Sequence, residues 1–158
     1  MDFLWSPWRY RYVSQASKAA SCFLCDKAAE QRDRENYVLC RGRLNFVLLN
    51  LFPYTSGHLM IAPYAHVAGL GDLTPETLAE MMELAQRAER ALQQAYRPDG
   101  LNLGMNLGQA AGAGVAGHVH LHILPRWFAD SNFMTTVAET RVLPEDLPTT
   151  YEKLRALF

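Results

Sequence analysis

Apolar positions along this chain change period twice, and each change predicts where strand gives way to helix. Tyr37 to Cys40 and Phe46 to Leu51 are short β-prone runs separated by the polar turn Arg41-Gly42-Arg43. His58 to Ala62 reads as a third strand, closed by Pro63. The period then lengthens: Leu78, Met81, Met82, Ala85, Ala88, Ala91 and Leu92 recur at helical spacing up to about Tyr96. Thr74-Pro75-Glu76 opens that helix with a hydroxyl N-cap, a proline and a first-turn acid, and Pro98-Asp99-Gly100 ends it. Leu101 to Asn106 returns to strand, a Gly/Ala-rich loop runs from Gly108 to Gly117, and His118 to Leu124 is the last strand. Pro144 onward, ending in Tyr151 to Leu157, reads as a terminal helix. Strands in hairpin-like runs around one long helix predict an α+β fold with an antiparallel sheet.

Composition narrows the function more than the fold. A length of 158 residues suits one domain with a core of its own. Residues 1–36 read as an N-terminal arm of that domain carrying a Cys-x-x-Cys, and residues 37–158 as its body. A formal net charge of −1 argues against broad electrostatic binding to nucleic acid or a membrane surface. No run approaches a membrane span and no signal-peptide core is seen, so the expected location is the cytoplasm. Three cysteines, an odd number, argue against a disulfide framework. The aromatic, basic stretch Trp5 to Tyr12 reads as an arm packed on the domain or on a second subunit.

The candidate chemistry sits on the last strand. His118, His120 and His122 alternate with Val119, Leu121 and Ile123, so the imidazoles share one face while the aliphatic side chains enter the core. Imidazole is a good nucleophile near neutral pH, and attack on phosphorus splits one hard transfer into two easier ones. The central His120 is the natural nucleophile, with a neighbour a strand repeat away on either side. The glycines of the preceding loop let backbone N–H groups approach an anion, which supplies phosphate contacts without Lys or Arg. The competing use of the row is metal ligation. Cys22 and Cys25 have zinc-ligand spacing and need two further ligands, for which His66 and His118 are available; no βαβ pattern accompanies them to suggest a thioredoxin-type pair.

His118-Val-His-Leu-His-Ile-Leu124 resembles the signature of the histidine-triad (HIT) superfamily of nucleotide hydrolases and transferases. Phe46 to Asn50, Pro53, Gly57 to Pro63 and His66 resemble that family's first half. Pro125-Arg-Trp127, Asp130, Asn132 to Met134, Glu139 to Pro144 and the Trp5-Ser-Pro-Trp8 start are similar to a bacterial branch of diadenosine tetraphosphate phosphorylases and hydrolases. The resemblance implies an α+β homodimer whose sheets join across the interface, and no organic cofactor. It implies His120 as the nucleophile on the α-phosphate, forming a nucleotidyl-histidine, and His122 at the phosphate or leaving oxygen. Asn50 matches a ribose contact, His58 a supporting histidine and Asn106 a polar group reaching the phosphate. Cys22, Cys25, His66 and His118 map onto a structural zinc site of zinc-bearing relatives. The loop departs from the family pattern: Gly112 to Gly117 carries no polar side chain, which leaves Gln109 as the candidate substitute and backbone at positions such as Gly114 for the nucleotide.

The leading expectation is cleavage of dinucleoside polyphosphates, with water or phosphate resolving the intermediate. Two alternatives are a zinc-dependent hydrolase that uses the His row as ligands, and a nucleotide-binding sensor with little turnover.

Overall fold

The structure, a computed structural model, describes residues 21–128, 130, 135 and 143–158. The aromatic start at Trp5 to Tyr12 and the segments Asn132 to Met134 and Glu139 to Val142 lie outside the described residues. Five strands form one antiparallel sheet: β1 (Val38–Arg41), β2 (Asn45–Leu49), β3 (Leu59–Pro63), β4 (Gly100–Gly104) and β5 (Leu121–Arg126), in the order β1-β2-β3-β5-β4. Three helices whose full span lies among the described residues accompany it: α1 (Phe23–Ala29), α2 (Pro75–Tyr96) and α3 (Leu147–Arg155). The expected α+β class with an antiparallel sheet, a long helix and a C-terminal helix is what the chain adopts.

Helix α2 follows its sequence signals closely. The Thr74 hydroxyl accepts the Thr77 N–H, proline occupies the first turn, and Arg97 closes the helix in the left-handed region at φ 45°. A cap of this kind contributes about 1 kcal/mol. The buried stripe Met81, Leu84, Ala85, Ala88 and Leu92 packs on Val47, Leu49, Leu59, Ile61, Leu121 and Ile123, and each fully buried Leu or Ile contributes roughly 1.5–3 kcal/mol. Helix α3 adds Tyr151 and Leu154 to the same cluster. It starts at Leu147, later than the sequence suggested, because the Asp146 carboxylate accepts the Thr149 N–H and sets the cap there.

Register decides what the opposite face carries. Residues opposite one another in a ladder share a face, and Val38, Leu48, Met60, His122 and Gly104 form one continuous row across all five strands. Over β1 to β3 this face is covered by α1, whose Leu24 is fully buried against Val38, Phe46, Leu48, Met60 and Ala62. That helix had no periodicity to announce it: about two turns around Leu24 are too short to show a repeat. Over β5 and β4 the face carries His122 and Gly104 instead, and a Cβ built on Gly104 would meet nothing within 4 Å.

All five strands are shifted from the sequence reading, furthest in β2, β4 and β5. β2 stops at Leu49 because Asn50 turns the chain, its side-chain oxygen accepting the Phe52 N–H. β4 covers Gly100–Gly104, with Met105 and Asn106 beyond it. β5 begins at Leu121, so His118 and His120 precede the strand. Pro63, at the matching end of β3, has no N–H to continue the ladder, and its carbonyl accepts from the His118 ring.

Gly57 holds the turn into β3 at φ 78°, and a Cβ there would lie 3.1 Å from both Leu92 and Tyr96 and 3.3 Å from Pro125. Gly57→Ala is expected to destabilise the fold by about 1–3 kcal/mol, read from urea or thermal unfolding. Its turn also delivers the next residue, His58, to the site.

Candidate active site

All three histidines of the row are buried, and each is fixed by a different partner. His118 Nε2 lies 2.8 Å from the Pro63 carbonyl, which can only accept, so Nε2 carries the proton and Nδ1 keeps its lone pair. That Nδ1 faces Cys22 Sγ at 3.3 Å and Cys25 Sγ at 3.5 Å. His120 is the reverse: Nδ1 lies 2.9 Å from the His118 carbonyl and donates to it, which leaves the lone pair on Nε2.

His122 takes its tautomer from a relay. The Tyr54 backbone N–H donates to His58 Nδ1 at 3.2 Å, and the Asn50 amide lies 3.3 Å from the same atom. His58 Nδ1 is therefore the acceptor and Nε2 carries the proton, donated to His122 Nδ1 at 2.9 Å. Neutral His122 must then carry its own proton on Nε2. The row thus presents an unprotonated Nε2 on His120 beside an Nε2–H on His122, with the two rings 4.7 Å apart.

Electrostatics keep the group neutral. Burial, reinforced by the neighbouring imidazoles His122 and His120, pushes His58 down to about 3. Burial and then His120 push His122 down to about 4. Burial lowers His120 too, against the opposing hydrogen bond to the His118 carbonyl. These depressions set an acid limit on stability. The unfolded chain binds protons near pH 6.5 that the folded site refuses, so stability contributed by this burial is full above about pH 6.5 and is lost as pH falls toward about 3–4. Thermal melts are expected to show a loss on the order of a few kcal/mol across that window.

At the other end of the row, the donor atoms of Cys22, Cys25, His66 and His118 all lie within 4.8 Å of one another. Cys25 Sγ is 3.2 Å from His66 Nδ1. Tetrahedral zinc with two sulfur and two nitrogen ligands would separate neighbouring donors by roughly 3.3–3.8 Å, so the set fits a metal ion. The Pro63 carbonyl on His118 Nε2–H is the outer hydrogen bond that such a ligand needs to present its other nitrogen. These four residues could hold a metal.

The remaining expected residues fall into two groups. Asn106 and His122 line one cleft of about 210 Å³ with Tyr54, Asn102 and Gly104. Asn50 holds His58 while its side-chain oxygen, already accepting from Phe52, retains a second lone pair. Gln109 is exposed in the short 3₁₀ turn Gln109–Ala111 and Gly114 is half-buried in the same loop, which turns at positive φ at Gly108 and Gly112. Neither Gln109 nor Gly114 lines that cleft. Two contributors escaped the sequence reading: the Pro63 carbonyl and Tyr54. A backbone carbonyl leaves no mark in a sequence, and Tyr54 showed only as an aromatic residue in the loop before His58.

A family model described as the HIT domain matches residues 31–129. The AP-4-A phosphorylase of Mycobacterium tuberculosis is 40% identical over 149 residues, covering 90% of this chain and 76% of that protein. The asymmetrical bis(5'-nucleosyl)-tetraphosphatase of Schizosaccharomyces pombe is 33% identical over 93 residues, 59% of this chain and 50% of that protein. Among solved structures, a Zn-bound histidine triad family protein from Mycobacterium smegmatis superposes with a TM-score of 0.67 at 28% identity, covering 90% of this chain and 94% of that one. With a matching model over more than half its length and a relative at 40% identity over most of it, this chain belongs to the HIT domain family.

Proposed function

We propose that this protein cleaves dinucleoside polyphosphates, diadenosine tetraphosphate foremost, through a covalent nucleotidyl-His120 intermediate. The carrying observation is the opposed pair of tautomers: a lone pair on His120 Nε2 next to a donor on His122 Nε2. The named activities of the two relatives support the substrate class.

His120 Nε2 attacks the α-phosphorus, its lone pair forms the P–N bond, and the bond to the bridging oxygen breaks. For diadenosine tetraphosphate the departing fragment is ATP. His122 Nε2–H faces the phosphate or leaving oxygen and stabilises the charge that develops there. Asn106 reaches the same phosphate from the cleft, and Asn50 offers its spare lone pair to a ribose hydroxyl. Water or inorganic phosphate then attacks the phosphoramidate and returns His120 to its starting state. Phosphate yields ADP and water yields AMP. Product analysis with and without phosphate therefore separates phosphorylase from hydrolase. We expect ADP plus ATP when phosphate is present, because the M. tuberculosis relative carries the phosphorylase name over most of this chain. AMP plus ATP regardless of phosphate would assign a hydrolase.

The metal assigned to Cys22, Cys25, His66 and His118 is zinc, held structurally, in keeping with two thiol and two imidazole donors and the Zn-bound neighbour. When bound, it ties the start of α1 to the residue two before the nucleophile. Catalytic zinc on the His row is the weaker reading. Among the described residues one group of three or more potential ligands comes together, and it uses only His118 from the row. The outer edge of β4 supports a homodimer in which two sheets join, with Leu103 and Leu107 exposed beside it. Three free thiols favour the cytoplasm, and no described helix is long and apolar enough to cross a membrane.

A further inference from the structure

We infer that Tyr54 is a positioning residue of this site, whose ring and backbone N–H together lock the His58–His122 pair in the tautomers that make His122 a donor. The assignment rests on the proposed function for its catalytic meaning, though not for its geometry. Tyr54 meets the pair three ways. Its backbone N–H donates to His58 Nδ1. Its ring lies against the His58 ring, centroids 4.9 Å apart and planes 37° from parallel, and stands 6.4 Å from His122 at 32°. The same residue borders the cleft that reaches His122. The ring is therefore placed between open solvent in the cleft and two imidazoles that are 1% and 9% exposed.

The lock follows from donor and acceptor counting. Protonating His58 would put a second hydrogen on Nδ1, where the Tyr54 N–H already points, and two donors would face each other. Protonating His122 on Nδ1 would set it against the His58 Nε2–H in the same way. Each imidazole can accept a proton only if its partner gives way, and the far end of the chain is held by the Tyr54 loop. Among the described residues the titratable groups that shift His58 are His122 and His120, and the one that shifts His122 is His120, with no charged side chain contributing to either. Wetting, not loss of an ion pair, is then what would release them. Removing the ring leaves the backbone N–H in place but admits water to His58 and loosens the turn.

The test follows the full-length protein labelled with ¹⁵N-imidazole by NMR across pH, alongside kcat and KM profiles, for Tyr54→Ala, Tyr54→Leu and Tyr54→Phe. The leucine variant keeps apolar bulk if the alanine variant folds poorly. For Ala and Leu we expect the His58 and His122 midpoints to rise by at least about one pH unit, with mixed tautomers. The acid limb of kcat/KM should move up with them. We expect kcat to fall about tenfold while KM changes little. Tyr54→Phe should restore all three readouts. Wild-type midpoints and tautomers in both the Ala and Leu variants would overturn the assignment, as would a Phe variant that behaves like Ala. If the wild-type protein proves inactive on dinucleoside polyphosphates, the functional reading fails while the NMR midpoints still decide the role of Tyr54.

Discussion

Replacing His120 with alanine is expected to lower turnover of diadenosine tetraphosphate by about 10⁴-fold or more, while AMP binding stays within a few-fold of wild type. The size of the effect follows from the lack of a substitute nucleophile. His122 stands next to His120, but its Nδ1 is engaged by His58 and its Nε2 carries the proton. His118 turns its lone pair to Cys22 and Cys25, away from any substrate lying over His120 and His122. His58 has both ring nitrogens committed. Losing the His120 lone pair therefore leaves only direct attack by water or phosphate on an oriented substrate. In the proposed function AMP is held by Asn50 and Asn106, which the substitution leaves in place. Steady-state kinetics and calorimetric titration of AMP read the two quantities separately. A variant that keeps even a tenth of wild-type turnover would refute His120 as the nucleophile.

The sequence pattern carried part of this site because the alternation begun at His118 runs on into β5, although His118 and His120 themselves precede the strand. Alternation in residues 118–124 placed the imidazoles on one face, and Leu121 and Ile123 do enter the helix-side core. The two-residue gap between Cys22 and Cys25 marked a ligand pair and the family resemblance named His66 and His118 as its complement; Cys25 does meet both, over 40 and 90 residues away in sequence. Thr74, Pro75 and Pro98 marked α2 almost to the residue because capping is local chemistry. What stayed hidden was the partner of each imidazole. The histidines appeared equivalent until their partners were known, and the partners are the Pro63 and His118 carbonyls and the Tyr54 N–H. Backbone groups are the same at every position, so no residue type announces which of them will hold an imidazole. Helix α1 was hidden for another reason. It is held by one buried leucine and a cysteine cluster rather than by an amphipathic repeat.

Removing the proposed zinc is the second large effect expected. Cys22→Ser with Cys25→Ser should reduce bound zinc from about one per chain to near zero, and should destabilise the protein by several kcal/mol. Apparent zinc affinities in structural sites are worth roughly 10–16 kcal/mol, of which a domain with its own core loses only the part that zinc adds to folding. The loss should concentrate in α1. Leu24 lies between the two cysteines, fully buried over β1 to β3, so freeing the helix start uncovers Val38, Phe46 and Met60 as well. Catalysis should suffer more than binding. His118 is both a candidate ligand through Nδ1 and, through its carbonyl, the acceptor that keeps the proton of His120 on Nδ1. When His118 is free to shift, that carbonyl moves with it, and part of the His120 population can place its proton on Nε2, where it cannot attack. A fall in kcat of about tenfold with little change in KM is the expected signature. Metal analysis, hydrogen exchange over residues 22–29 and kinetics on the same preparations read the three consequences together. Stoichiometric zinc in the double variant would remove the site, whereas zinc loss with unaltered exchange and kinetics would leave a metal that neither holds α1 nor steadies His120.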